Sequence, residues 1–253
     1  MPNRTRLQNK IDVRIVESGN TAPVTITLYD LCGADRSLRF SPHCWRARMA
    51  LAHKGVAFET MPTAFTEIAA VEDGGSKTVP VLNDNGVIVR DSFDIAVYLD
   101  DAYPDLPALF GHDGVAAAAR LIQNWVNAAI HPILARMMIK DIHDVIAPAD
   151  RVYFRESREK RFGKTLEAAQ TGLEANQDAL AGALMPARVT LDNHEWLGGG
   201  GPLYTDYILF GSLFWLVAVT GRLPLPDDDA VAAWFNRCLD LHDSLAREAR
   251  RAA

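Results

Sequence analysis

Three short stretches of this sequence carry polar groups where local backbone geometry turns them into binding chemistry. Ser41 stands before Pro42 and an apolar periodic run, at the position of a helix N-cap, with Cys44 three residues on. A hydroxyl and free N–H groups at a helix start stabilise an incoming anion, a thiolate included. Pro80 lies inside a strand pattern, Lys77-Thr78-Val79-Pro80-Val81, although it has no N–H to donate. Two readings stay open there: an edge-strand proline, or a cis Val79–Pro80 bond that turns the Val79 backbone outward toward an extended, peptide-like ligand. Asp91 and Ser92 stand where a strand ends and a helix begins. They either cap that helix alone or also grip an α-amino acid head group, with Ser92 on its carboxylate and Asp91 on its ammonium.

These groups need elements to hold them. Alternation from Val24 to Leu31 predicts a strand, and Ser41 to Gly55 predicts a helix with Trp45, Met49 and Ala52 on one face. A second strand is expected over Val56 to Met61. Asn83 to Gly86 reads as the turn between two strands, and a helix follows from Ser92 to Tyr103. A parallel βαβ unit followed by a hairpin and a helix is an α/β sandwich rather than a doubly wound sheet. Beyond Pro104 to Asp113, a proline-containing linker, strand signals fade. A helix is expected from Gly114 to about Ile146, broken near Pro132, and a long helical pattern from Asp150 to about Leu184. Tyr204 to Val219 reads as a buried helix and Asp227 to Arg251 as an amphipathic one. The division expected is an N-terminal extension over 1–23, an α/β domain over 24–103, a linker over 104–113 and an all-helical domain over 114–253.

Composition narrows the function classes. The 253 residues are 49% hydrophobic and 23% charged, ordinary globular values, with a net charge of −6. An acidic chain has no global attraction for nucleic acid or anionic membranes, so neither is expected as a partner. The apolar run Ile208 to Val219 is too short to span a bilayer. Residues 1–23 have no apolar core and are not expected to be a secretory signal. Three cysteines, Cys32, Cys44 and Cys238, make a disulfide framework improbable and point to a reducing, cytoplasmic setting. Cys44 reads as a packed thiol. The run Gly198 to Gly201 reads as a mobile connection, and no histidine or acidic cluster has convincing metal-ligand spacing.

Taken in order, SPHCWRARMALAHKG, TVPVL and RDSFDIAVYLDDAYPD, followed by a helical region, resemble the glutathione transferase superfamily over residues 24 to about 250. The resemblance implies a thioredoxin-like domain plus an all-α domain, with glutathione as co-substrate in the cleft between them and no metal. It assigns Ser41 to the thiolate, Val79 with cis-Pro80 to the cysteinyl backbone, and Asp91 with Ser92 to the γ-glutamyl end. Thioredoxin-like redox proteins carry their reactive thiol at the first position of the Ser-x-x-Cys spacing, so here the ligand brings the sulfur. Lys77 is a weaker candidate for the glycyl carboxylate. The segments are also similar to the bacterial lignin β-etherase branch and to FuA-type transferases, which implies glutathione-dependent cleavage of β-aryl ethers. Trp125, Met137, Met138, Tyr207 and Trp215 are candidates for an aromatic-substrate pocket, against the alternative that they are core. A homodimer is expected from the resemblance alone. One departure is Leu203, which stands where the superfamily usually caps its buried helix with a hydroxyl or amide residue three before Asp206. Two other functions remain open: a thiol-transferase or peroxidase, and a non-catalytic glutathione- or protein-binding module.

Overall fold

A computed structural model describes residues 26–111 and 113–253. The extension expected over residues 1–23 and the first two residues of the expected first strand lie outside the described residues.

Strand β1 (Ile26–Leu31), helix α1 (Pro42–Lys54) and strand β2 (Phe58–Thr63) form a parallel βαβ unit, with Ile26 opposite Phe58. A 3₁₀ segment (Phe65–Ala70) leads to β3 (Val81–Asp84), β4 (Val87–Arg90) and α2 (Ser92–Ala102). The sheet order is β2-β1-β3-β4, with β3 antiparallel to both of its neighbours. This is the thioredoxin-like arrangement expected. The hairpin turn is tighter than expected, because Asn83 and Asp84 belong to β3. Asn85 and Gly86 alone make the turn, at φ of 50° and 92°, the two positive values of a type I′ loop.

The remainder is helical: α3 (Asp113–Trp125), a π-helical turn (Val126–Ile130), α4 (His131–Val145), α5 (Pro148–Phe162), α6 (Leu166–Ala169), α7 (Leu173–Ala183), α8 (Met185–Leu191), α9 (Tyr204–Thr220) and α10 (Ala230–Ser244). The pattern expected over Asp150 to Leu184 is therefore three helices. Gly163 and Gly172 take left-handed backbone at φ of 67° and 74°, and the Thr165 hydroxyl caps a new start by accepting the Ala168 N–H at 3.2 Å. The break expected at Pro132 falls one turn earlier, in the π-helical segment. Pro132 itself sits in the first turn of α4, where a missing N–H costs nothing. The last helix is shorter than expected, because Asp229 caps it on Val231 and the backbone turns left-handed at His242 and Asp243.

One hydrophobic core runs through sheet and helices, and α9 is its axis. Every residue of α9 from Tyr204 to Val219 except Trp215 is buried. Its contact with α1 is set by Gly211: a Cβ there would stand 2.5 Å from the Pro42 carbonyl and 3.3 Å from the Arg46 nitrogen. The start of α9 solves the missing cap at Leu203 differently from a hydroxyl. The buried Asp206 carboxylate accepts N–H groups of Leu197, Gly198 and Leu203 at 2.8 to 3.0 Å, together with Trp234 Nε1 at 2.9 Å. The first glycine of the run read as mobile is thereby pinned to the helix it precedes.

Carboxylates also tie distant segments together. Asp100 on α2 accepts the Leu109 and Phe110 N–H groups and pairs with the buried Lys54 at 3.0 Å. Asp150 on α5 accepts the Phe65 and Thr66 N–H groups at 3.1 and 2.8 Å. Gly211→Ala should overpack the α1–α9 contact and lower stability by about 1–3 kcal/mol in urea unfolding. Gly182→Ala on α7, where a Cβ meets nothing within 4 Å, should instead be neutral or stabilise by up to about 1 kcal/mol. Equal midpoints for the two variants would show that the α1–α9 approach is not tight.

Candidate active site between the sheet and the helices

A cleft of about 750 Å³ opens between the two halves. Its sheet-side wall holds Ser41, Lys77, Val79, Pro80, Asp91 and Ser92, so the sequence stretches singled out for their chemistry meet in one place. Ser41 is the N-cap of α1, with extended backbone and an Oγ that accepts the Cys44 N–H at 3.3 Å. As a hydroxyl it keeps an O–H to donate. The Val79–Pro80 peptide is cis, and Val79 lies ahead of the β3 ladder, which begins at Val81 opposite Tyr29. Asp91 caps α2 through an Oδ1 that accepts the Phe93 N–H at 2.8 Å. Its φ of 71° is in a region that disfavours side chains other than glycine, strain of a kind that concentrates at binding sites. Ser92 is 1% exposed, and its Oγ has no hydrogen-bond partner among the described residues. The Tyr204 hydroxyl donates to the Ser92 carbonyl at 2.6 Å and fixes that turn against α9. Lys77 is exposed at the rim.

The cysteines stand apart from this chemistry. Cys44 is fully buried beneath Ser41, with the Leu31 N–H 3.5 Å from its sulfur, and burial pushes its thiol well up. Cys32 and Cys238 are also buried and free, their thiols raised by burial. Among the described residues no cluster of three or more His, Cys, Asp or Glu is placed to hold a metal ion. No helix there is long and apolar enough to cross a membrane.

The opposite wall differs from the one read in the sequence. Of the five candidates for an aromatic pocket, Trp215 lines this cleft. Met137 lines a separate cavity of about 270 Å³ with Gln170 and Leu216, and Met138 is wholly buried. Tyr207 is buried in the core, its hydroxyl 2.7 Å from His53 Nδ1 and 3.0 Å from His242 Nε2. Trp125, half-buried at the end of α3, does not line the cleft. The aromatic wall is made instead by Phe65 and by Tyr153, Phe154 and Phe162 of α5. The rings of Phe65 and Phe154 lie 5.6 Å apart, and the Arg158 guanidinium covers Phe154 at 4.7 Å. Arg161 lines the same wall. Phe154, Arg158, Arg161 and Phe162 follow helical spacing, and that periodicity was the available signal. The high charge of α5 hid it.

Beneath the cleft floor lies a group with no sequence signal at all. Arg46 of α1 is fully buried, and its hydrogen bonds go to neutral partners. Nε donates to the Ile208 carbonyl at 3.3 Å, one terminal nitrogen meets His43 Nδ1 at 3.3 Å, and the other meets Ser212 Oγ at 3.1 Å, His131 Nε2 at 3.4 Å and Asn127 Oδ1 at 3.5 Å. Burial pushes its pKa down to about 10, which leaves it charged at neutral pH. Burial first, and Arg46 second, push His43 down to about 3 and His131 to about 2. Both imidazoles are neutral in the folded protein, whereas in the unfolded chain they take up protons near pH 6.5. The unfolded state thus binds more protons below that pH, and stability falls on acidification. His131→Phe should lose less stability between pH 6.5 and 5 than the native protein does. The difference should reach at most about 1.4 kcal/mol per pH unit in urea unfolding, and parallel slopes would exclude His131 as a source of acid sensitivity.

Comparison with known proteins agrees with this construction. The glutathione S-transferase N-terminal domain family matches residues 37–107 and the glutathione S-transferase C-terminal domain family residues 117–240, together about three quarters of the chain. Maleylacetoacetate isomerase of Rattus norvegicus is 30% identical over 111 residues, 39% of this chain and 49% of that protein. Glutathione S-transferase Z1 of Arabidopsis thaliana is 39% identical over 69 residues, 25% of this chain and 31% of that protein. The chain thus spans half or less of the length of these two curated relatives. A glutathione S-transferase of Ceriporiopsis subvermispora, solved in complex with glutathione, superposes with a TM-score of 0.74 at 25% identity, covering 90% of this chain and 99% of that one. Glutathione transferase GSTFuA2 of Phanerochaete chrysosporium does so with a TM-score of 0.69 at 28% identity, covering 87% and 93%. Both halves of the chain, with the cleft between them, belong to the glutathione S-transferase family.

Proposed function

We propose that this chain binds glutathione in the cleft and uses its thiolate as the nucleophile on an aromatic electrophile, with a β-aryl ether as the substrate class. The observation that carries the glutathione site is the Ser92 hydroxyl, buried and unpartnered at the start of α2, in the same cleft as Ser41. A buried polar atom without a partner is costly, and a ligand carboxylate at a helix N-terminus would satisfy it. Asp91 would then meet the γ-glutamyl ammonium, the Val79 backbone beside cis-Pro80 the cysteinyl backbone, and Lys77 the glycyl carboxylate. That peptide would lay its sulfur toward Ser41, whose O–H and helix start stabilise the thiolate.

The electrophile side follows from the opposite wall. Four aromatic rings from the 3₁₀ segment and α5, with Trp215 from α9, would take an aryl group edge-on or stacked. In the proposed reaction the thiolate sulfur forms a bond to the carbon bearing the aryloxy group, that carbon–oxygen bond breaks, and the electron pair leaves on the aryloxide. The protein supplies positioning and charge stabilisation. Burial of Cys32, Cys44 and Cys238 weighs against a thiol-transferase that uses its own sulfur.

The assay that tests this follows glutathione consumption with a fluorogenic β-aryl ether, beside chlorodinitrobenzene, an organic hydroperoxide and maleylacetoacetate. Phenol release with a glutathione thioether product is the expected result. Turnover of the other substrates alone would replace ether cleavage with general conjugation, peroxide reduction or isomerisation. Glutathione binding without any turnover would favour a binding module. Ser41→Ala should lower turnover roughly 10- to 100-fold, the worth of one hydrogen bond to a charged atom, with little loss of glutathione affinity. Asp91→Asn keeps an acceptor for the Phe93 N–H but removes the charge facing the ammonium. It should weaken glutathione binding about tenfold or more by calorimetry, and unchanged affinity would refute the role of Asp91.

A further inference from the structure

Arg46 fixes the polarity of three side chains that line the cleft. A guanidinium can only donate. The atoms it meets, His43 Nδ1, His131 Nε2 and Asn127 Oδ1, are therefore acceptors toward it. Each neutral imidazole then carries its proton on the other nitrogen, Nε2 in His43 and Nδ1 in His131, and Asn127 turns its NH₂ away from Arg46. The Ser212 hydroxyl accepts from Arg46 at 3.1 Å, donates to the Ile208 carbonyl at 3.0 Å and lies 2.9 Å from His131 Nε2. All three residues line the cleft between Ser41 and Trp215. The His43 and His131 rings are 5.5 Å apart, and Trp215 stands 5.6 Å from His131. The result is a set of N–H donors on residues that line the cleft, backed by a buried cation that no carboxylate among the described residues contacts directly.

We infer that His43, Asn127 and His131 form a donor cradle for an anionic oxygen of the second substrate. Resting on the transferase reading above, that oxygen is the one departing as aryloxide. The imidazoles give up no proton in this step. They donate hydrogen bonds to the oxygen as the carbon–oxygen electron pair moves onto it, and the aryloxide is protonated by water after release. Arg46 touches no substrate and acts as the positioning residue, holding both rings in the donor tautomer. Such donors are pre-oriented for charge that appears during the reaction, the arrangement that lowers a barrier most effectively.

The test uses 4-nitrophenol as the probe, bound to the native protein saturated with S-methylglutathione, while the phenolate absorption is followed against pH. The expected result is a bound phenol that ionises at least about one pH unit below the free one, a tenfold preference for phenolate over phenol. His43→Phe with His131→Phe should abolish most of that preference while S-methylglutathione affinity stays within about twofold. His131→Gln, which keeps an N–H donor, should recover part of it. Lys77, Asp91, Arg158 and Arg161 also line the cleft, and because they are common to every variant the differences isolate the imidazoles. A native protein that shifts nothing, or a double variant that shifts as much, overturns the cradle. A kinetic arm separates the two ideas, with β-aryl ethers of graded leaving-group acidity. In the Phe variants turnover should depend more steeply on that acidity, whereas a merely structural loss would slow all substrates equally and overturn the assignment. Ether cleavage without a phenolate preference keeps the transferase reading and rejects the cradle. A phenolate preference without cleavage of any ether keeps the anion site and rejects the aryloxide assignment.

Discussion

Arg46 is the constraint around which the cleft is built. A guanidinium stripped of water and given no carboxylate must find acceptors for its N–H groups, or its burial would cost several kcal/mol. The acceptors come from α1 itself, the π-helical turn, the first residue of α4 and two residues of α9. Gly211 makes this possible, because only a bare Cα lets α9 come close enough for Ile208 and Ser212 to reach Arg46. The widened turn at Val126–Ile130 carries Asn127 and delivers His131 to the same guanidinium, in keeping with the tendency of π-helical turns to mark functional positions. Three stretches distant in sequence are thereby locked at the floor of one cleft.

Acidic residues do the complementary work elsewhere in the fold. Asp100, Asp150 and Asp206 are satisfied mainly by backbone N–H groups rather than by surface cations. A carboxylate that accepts several N–H groups fixes a chain segment more rigidly than an exposed ion pair does. Asp150 shows the consequence for function. By holding the Phe65 and Thr66 N–H groups from the start of α5, it sets Phe65 beside Phe154, so the aromatic wall is one surface drawn from both halves. The Ser92 hydroxyl, by contrast, is buried without a partner among the described residues and lies in the cleft.

What could be read in the sequence was local. Ser41 before Pro42, Asn85-Gly86 and Asp91-Ser92 announce caps and turns through their own backbone chemistry, and the residues one would expect to handle a peptide ligand sit on those features. The helical half was less legible for the same reason. Gly163 and Gly172 break a continuous helical pattern through backbone conformation, which side-chain periodicity does not report. Met138 and Tyr207 lie on apolar faces, but periodicity does not say whether a neighbouring helix or a ligand covers such a face. Arg46 was out of reach altogether. In α1 it reads as a solvated charge, and its burial is decided by partners as far as 166 residues away in the chain.

Helix α1 carries both Ser41, the group proposed to face the thiolate, and the buried cation, and this bears on how the proposed displacement would be catalysed. During the reaction negative charge leaves the sulfur near Ser41 and builds on oxygen. Stabilising the thiolate increases the fraction of ionised nucleophile but also lowers the ground state from which it attacks, so the gain at Ser41 is self-limiting. Donors at the oxygen have no such counterweight, because the charge they meet is absent until the bond begins to break. Under that division Ser41 governs how much nucleophile is present, while His43 and His131, held by Arg46, govern how readily the leaving group departs. On that proposal a single helix, with Ser41 at its cap toward the sulfur and Arg46 in its second turn organising the donors for oxygen, would keep both ends of the displacement in fixed register, at a separation set by α1 and not by loops.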